Sequence, residues 1–157
     1  MKLKNDKGST VIETVLIMPL ILIIFFITIW GGQLMFTWSS INYSATTAAM
    51  TAAKTGEVTD QIGESALEDL KEWTPGNRDL GTSISRNSGG PPHIPGQIVF
   101  WTPNEGPVPW KNNITVGIIY PYKIDSPLLS FLGESFFGGD VIYLKGEAVA
   151  KSEVLPE

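Results

Sequence analysis

Residues 11–30 form an apolar run in which Glu13, Thr14 and Thr28 are the main polar interruptions, and no fold is open to this chain that leaves the run in water. At 1.5 Å of rise per residue, about 20 helical residues cross a hydrocarbon core roughly 30 Å thick. A cleaved secretory signal has a shorter core, about 7 to 15 residues, ahead of a small-x-small site. Here the run is longer and continues amphipathically through Gly31, Gly32, Gln33, Leu34, Met35 and Phe36. The run therefore predicts a transmembrane helix. Lys2, Lys4 and Lys7 precede it, so the positive-inside bias places the N-terminus in the cytoplasm and everything beyond Gly32 outside, with Trp30 and Trp38 suited to the outer interface. Pro19 removes a bond to the Val15 carbonyl, which predicts a kink of a kind that lipid-embedded helices tolerate.

The remainder of the 157-residue chain, beyond the anchor, is long enough for one small domain. The net charge of −5, with the leader lysines on one side of the anchor and most acids on the other, argues against nucleic-acid binding. There is no cysteine, which rules out disulfides and thiol catalysis. The single histidine, His93, sits in the stiff loop Pro91-Pro92-His93-Ile94-Pro95 with no neighbour that suggests a metal site or a catalytic triad. Gly31-Gly32 lies in the anchor and Gly89-Gly90 is followed by prolines, so neither is a phosphate-cradling loop, and the acids form no paired-carboxylate motif. The expectation is a protein without enzymatic activity, cofactor or metal. Asn42-Tyr43-Ser44 and Asn113-Ile114-Thr115 match the glycosylation pattern and are read as incidental.

Beyond the membrane, Leu34, Trp38, Ile41, Ala45, Ala48 or Ala49, and Ala52 recur at helical spacing, predicting one long helix to Lys54 that stops at Thr55-Gly56. Its small face, Ser44, Ala45, Ala48, Ala49 and Ala52, admits the close approach either of the chain's own domain or of another subunit. Residues 59–73 read as a second helix ending at Thr74-Pro75-Gly76, with Ile62, Ala66, Leu70 and Trp73 on one stripe. Glu64, Glu68 and Glu72 lie on its other face, which solvation alone explains. Residues 77–113 are loop-rich, with short strands at 81–86 and 97–101; residues 114–123 and 140–152 alternate as half-buried antiparallel strands. Ser126, Pro127 and Gly133 frame a short bridging helix. Phe131, Phe136 and Phe137 make the bridge apolar, for core packing or, alternatively, a membrane or subunit contact. The predicted fold is α+β: a long N-terminal transmembrane and amphipathic helix, then a small extracytoplasmic domain with a second helix and an antiparallel sheet.

The leader narrows the function. In Lys7-Gly8-Ser9-Thr10-Val11-Ile12-Glu13, the segment Thr10 to Glu13 fits a helix-capping box, with Gly8 as a joint. That reading leaves a short basic leader ending in glycine unexplained. The same stretch resembles the class III signal of type IV pilins and pseudopilins. The resemblance implies cleavage after Gly8 by a membrane prepilin peptidase, a new amine on Ser9, and a role in assembly for Glu13, whose carboxylate would meet the Ser9 amine of a neighbouring subunit. A carboxylate inside a membrane helix costs about 2.5–3.5 kcal/mol near the centre, so a partner is expected.

Further motifs point more narrowly. The glutamate of Val11-Ile12-Glu13, the proline of Met18-Pro19-Leu20, the alanine-rich helix end, Tyr120-Pro121-Tyr122, Gly138-Gly139 and the final strand Ala148-Val149-Ala150-Lys151-Ser152-Glu153 together resemble the TadE-like family, minor pseudopilins of the tight-adherence (Flp) pilus system. The resemblance implies a leader at 1–8, a transmembrane helix at 9–32, its continuation at 33–56 and an extracytoplasmic domain at 57–157. It implies as partners the membrane, the prepilin peptidase, other pilins or pseudopilins and the pilus assembly platform, with the protein in the cell membrane or the pilus. A pseudopilin of a type II secretion or other type IV system shares the leader chemistry. An uncleaved, signal-anchored binding protein is the alternative from a different class.

Overall fold

The computed structural model describes the backbone of residues 6–74, 79–123 and 141–155, and side chains from Glu13 onward within those ranges. Element order is α1 (Asp6–Thr55), α2 (Asp60–Trp73), β1 (Gly81–Arg86), β2 (Gln97–Thr102), β3 (Asn113–Lys123) and β4 (Val141–Lys151). The chain divides into two compact units, Met1–Phe36 and Thr37–Glu157. The predicted bridge at 126–133, Phe131, Phe136, Phe137, the Gly138-Gly139 pair and the Pro75-Gly76 stop lie outside the described residues.

In the first unit α1 is unbroken through Pro19. Its large apolar side chains from Val15 to Ile29 are exposed, from Leu16 at 71% to Phe26 at 41%. Thr28 donates its hydroxyl to the Ile24 carbonyl at 2.8 Å, so its polar group is satisfied inside the helix.

In the second unit α1 buries Thr37, Ser40, Ile41, Ser44, Ala45, Ala48, Ala49, Ala52 and Ala53. Steps of three and one along that series trace a single face. All but Ile41 are small, which lets the backbone lie close to what it packs on. The helix ends as its sequence requires: Gly56 takes φ +78°, a left-handed conformation that glycine adopts without strain, and its N–H bonds the Ala52 carbonyl at 2.8 Å. Trp38, expected on the packed stripe, is 50% exposed. The helical spacing is right but the buried arc runs through the small residues instead.

α2 starts at the N-cap Thr59, whose hydroxyl accepts the Ile62 N–H. Its buried face is Gly63, Ala66, Leu67 and Leu70. The predicted stripe holds at Ala66 and Leu70, but Ile62 is only half-buried and Trp73 is exposed, its ring 5.2 Å from that of Tyr43. Gly63 sets the phase: a Cβ there would come within 2.9 Å of Ile84 Cδ1 and 3.2 Å of Phe100, so any larger residue would make these side chains shift for α2 to seat this close to the sheet.

The sheet has the order β1-β2-β3-β4. It is mixed, not purely antiparallel: β1 and β2 are parallel, and the other two pairings are antiparallel. The ten residues 87–96 between the parallel strands make this possible, since an extended chain of about 3.3 Å per residue can return past a six-residue strand. One row of paired residues, Ile84, Phe100, Ile118 and Gly146, crosses all four strands. α2 sits at the Ile84–Phe100 end through Gly63, and α1 at the other, where a Cβ on Gly146 would lie 2.7 Å from Ile41 Cγ2 and 3.2 Å from the Asn42 nitrogen.

On the opposite face Trp101 lies over Gly117, where an added Cβ would be 2.8 Å from the indole, and its Nε1 donates to the Asn87 carbonyl at 2.8 Å. His93 packs edge-on against Tyr143 at 4.3 Å. The 87–96 connection thus partly covers the second face of the sheet. Being central and covered on both sides, β3 is buried without interruption from Val116 to Tyr122, whereas its sequence alternation predicts a half-buried strand. β4, at the edge, keeps the alternation, with Leu144 and Gly146 buried between exposed neighbours.

Candidate functional site

The residues singled out for function lie on the first turns of α1. The helix begins at Asp6, so Gly8, Ser9 and Thr10 have helical backbone. Thr10 is therefore inside the helix, not at its N-cap, and the capping-box reading of Thr10 and Glu13 does not apply. Ser9 and Glu13 stand four residues apart, one turn, and so share a face. The Glu13 side chain is exposed.

From Glu13 onward the surface is a cylinder of Val, Leu, Ile, Met and Phe with no apolar cover. A helix that is apolar all round needs an apolar solvent. The stretch Glu13–Thr55 contains a span long and apolar enough to cross a membrane, and none of that span is buried. Pro19 sits within it, and Gly31 and Gly32 mark its far end with open space around both glycines.

The second unit holds the end of α1 against α2 and the sheet. Among the described residues no group of three or more His, Asp or Glu side chains is placed to hold a metal ion. His93 is exposed and engaged with Tyr143. A residue that sequence reasoning passes over is Asn104: its Oδ1 accepts the Thr115 N–H at 3.0 Å and its Nδ2 donates to the Asn113 carbonyl at 3.4 Å, closing the Pro103–Pro107 loop onto the start of β3. The adjoining loop docks on the end of α1, Val108 N–H to the Gly56 carbonyl at 2.7 Å, and the chain after β4 does the same, Glu153 N–H to the Ala53 carbonyl at 2.9 Å. The small face of α1, open to two readings from sequence, packs on the chain's own domain: Ser44 Oγ donates to the Ala66 carbonyl of α2 at 2.8 Å, and Ile41 meets β4 at Gly146.

Against known proteins, a family model described as TadE-like protein matches residues 8–50. That match runs from the glycine through the apolar helix to Met50 and stops before α2, so the motifs noted in β3 and β4 lie beyond it. No curated protein and no solved structure matches the chain. Over its N-terminal helix, residues 8–50, the chain is similar to TadE-like proteins.

Proposed function

We propose that this chain is a minor pseudopilin-type subunit that supports biogenesis of a tight-adherence (Flp) pilus. It is inserted with residues 1–8 in the cytoplasm and its α+β domain outside, cut after Gly8 by a prepilin peptidase, and held by its helix until recruited to the assembly platform or the pilus. The observation that carries this reading is the coincidence of the TadE-like match, which begins at Gly8, with a helix that contains a membrane-length apolar span, none of it buried. No catalytic chemistry is assigned to it.

Each residue then has a task. The Gly8–Ser9 bond lies in the first turns of α1, and a protease must draw that bond out as extended chain. Glycine is among the residues whose helix is easiest to unwind, by about 1 kcal/mol relative to alanine. Cutting there leaves the Ser9 amine as the new start of the helix, one turn before Glu13, so a cation and a carboxylate arise together at the membrane face. The pair can close within one chain or between neighbours, and in the second case it sets the depth at which subunits meet. Pro19 offers a point where the anchor can bend as it leaves the bilayer.

The test is the intact mass of the protein from cells with and without active prepilin peptidase. The expected result is loss of the eight leader residues, with a mature chain starting at Ser9, only when the enzyme is active. Retention of the leader beside an active peptidase would overturn the reading in favour of an uncleaved anchor. Glu13→Ala is expected to be cut normally yet to be missing from purified pili or from the assembly complex.

A further inference from the structure

At the far end of α1 the second unit has a recess of about 520 Å³. Lys54, Trp110, Lys111, Lys151, Ser152 and Glu153 are among its lining residues. Three lysines converge there in a protein of net charge −5. The ion pairs seen among the described residues are Arg86–Asp60 and Lys145–Glu147, and these lysines belong to neither. Lys111 holds left-handed backbone, φ 62°, and its Nζ lies 4.0 Å over the half-exposed Trp110 ring, which fixes that ammonium at the rim. Ser152, 2% exposed, also lines the recess, and its hydroxyl has no hydrogen-bond partner among the described residues. The one acid present is Glu153.

The opposite edge of the domain carries the complement. α2 packs at the β1 end of the sheet, and Glu64, Glu68 and Glu72 form an exposed stripe at four-residue spacing on it, with Lys71 the one cation among them. The lysine recess is built at the β4 end. Two complementary surfaces at opposite edges of one domain cannot meet within a copy, but they can join copies head to tail, a heterologous contact that propagates as a line or helix.

We propose that the lysine recess receives the Glu64–Glu68–Glu72 stripe of a second copy of this chain. The contact rests on the reading of the protein as an assembly subunit and adds to it a surface and a geometry. Ser44 bonds α2 at Ala66, between Glu64 and Glu68, whereas Lys54 lies ten residues further along α1. The two patches are therefore offset by about 15 Å along the helix. Copies aligned at equal height along α1 hold them out of register, and copies staggered along α1 bring them together.

The test uses the full chain in detergent, where each anchor has its own micelle and copies can slide, with sedimentation as the readout. Wild type is expected to self-associate at high micromolar concentration and to become monomeric above about 0.5 M salt, where screening reaches within a few Å. Lys54→Glu with Lys151→Glu, and separately Glu64→Lys with Glu68→Lys, should each weaken association about tenfold or more. Mixing the two variants should restore it, because the acidic recess of one then faces the basic stripe of the other. Wild type that stays monomeric, or variants that associate as wild type does, would overturn the proposal. So would a monomeric wild type whose recess lysines are needed to bind vesicles of anionic lipid, which would reassign the recess to the membrane surface. Leader cleavage is measured separately, so a chain that is cut after Gly8 yet remains monomeric contradicts this contact alone.

Discussion

Along α1 the apolar side chains at residues 15–29 are large and face outward, whereas those buried at 37–53 are, apart from Ile41, no larger than threonine. The backbone is the same helix in both stretches; what differs is the medium each must satisfy. A segment that meets lipid needs bulk on every side, because area exposed to hydrocarbon costs nothing there and area exposed to water does. A segment that meets a sheet and a second helix needs closeness, and small residues with one bulky anchor supply it. Ile41, wholly buried against Gly146, contributes roughly 1.5–3 kcal/mol. Hydrophobicity alone therefore misplaces the core of this protein: its most apolar stretch is its least buried.

The largest expected effect breaks the packed half. Ala45→Leu, at a fully buried position, should lower domain stability by about 3 kcal/mol through overpacking, read as a fall in the denaturation midpoint of the full chain in detergent. The matched change in the other half, Ile23→Ala, should leave that midpoint within about 0.5 kcal/mol because the Ile23 side chain is exposed. Equal effects at the two sites would erase the distinction between the halves. Next in size, Gly146→Ala should cost about 2 kcal/mol, since the new methyl meets Ile41 Cγ2 and the Asn42 backbone, and Ile41→Ala alongside it, which removes Cγ2, should make the pair cost less than the sum of the two single changes.

The smallest effect is a matter of pH. Burial, with Tyr120 as a second cause, raises the Tyr122 pKa above its ordinary value of 10.0. A phenol whose folded pKa is raised keeps its full contribution below the unfolded pKa and loses it as pH climbs from there toward the folded value. Stability should therefore fall at alkaline pH, beginning near 10, and Tyr122→Phe should flatten that decline without changing the neutral midpoint by more than about 1 kcal/mol. A slope unchanged by the substitution would remove Tyr122 as its origin.

Much of the architecture is legible in the sequence because local chemistry dictates it. Thr59 and Gly56 mark helix ends by capping geometry, and the runs that form β1 to β4 are bounded by turn residues. The features that escape a sequence reading are set by distant partners. The parallel pairing of β1 with β2 depends on where a ten-residue loop returns, which no local pattern encodes. The burial of both faces of β3 depends on Trp101 covering Gly117 from one side while the helices cover the other. The packed arc of α1 departs from the expected stripe at Trp38, because favouring large apolar residues over small ones hides the three-and-one spacing from Thr37 to Ala53. For the candidate site, the residue positions come from sequence, whereas the start of the helix at Asp6 comes from structure and removes the capping-box alternative.

Labelling single cysteines along α1 decides whether its two halves occupy different media, since the chain has no cysteine of its own. Phe25→Cys should resist a membrane-impermeant maleimide in intact cells and in inside-out vesicles, and should react once detergent is added. Tyr43→Cys and Met50→Cys, exposed on the domain half, should react in intact cells without detergent. A reactive Phe25→Cys in either sealed preparation, or Tyr43→Cys and Met50→Cys that react only from the cytoplasmic side, would refute the division of α1 into a lipid half and a domain half.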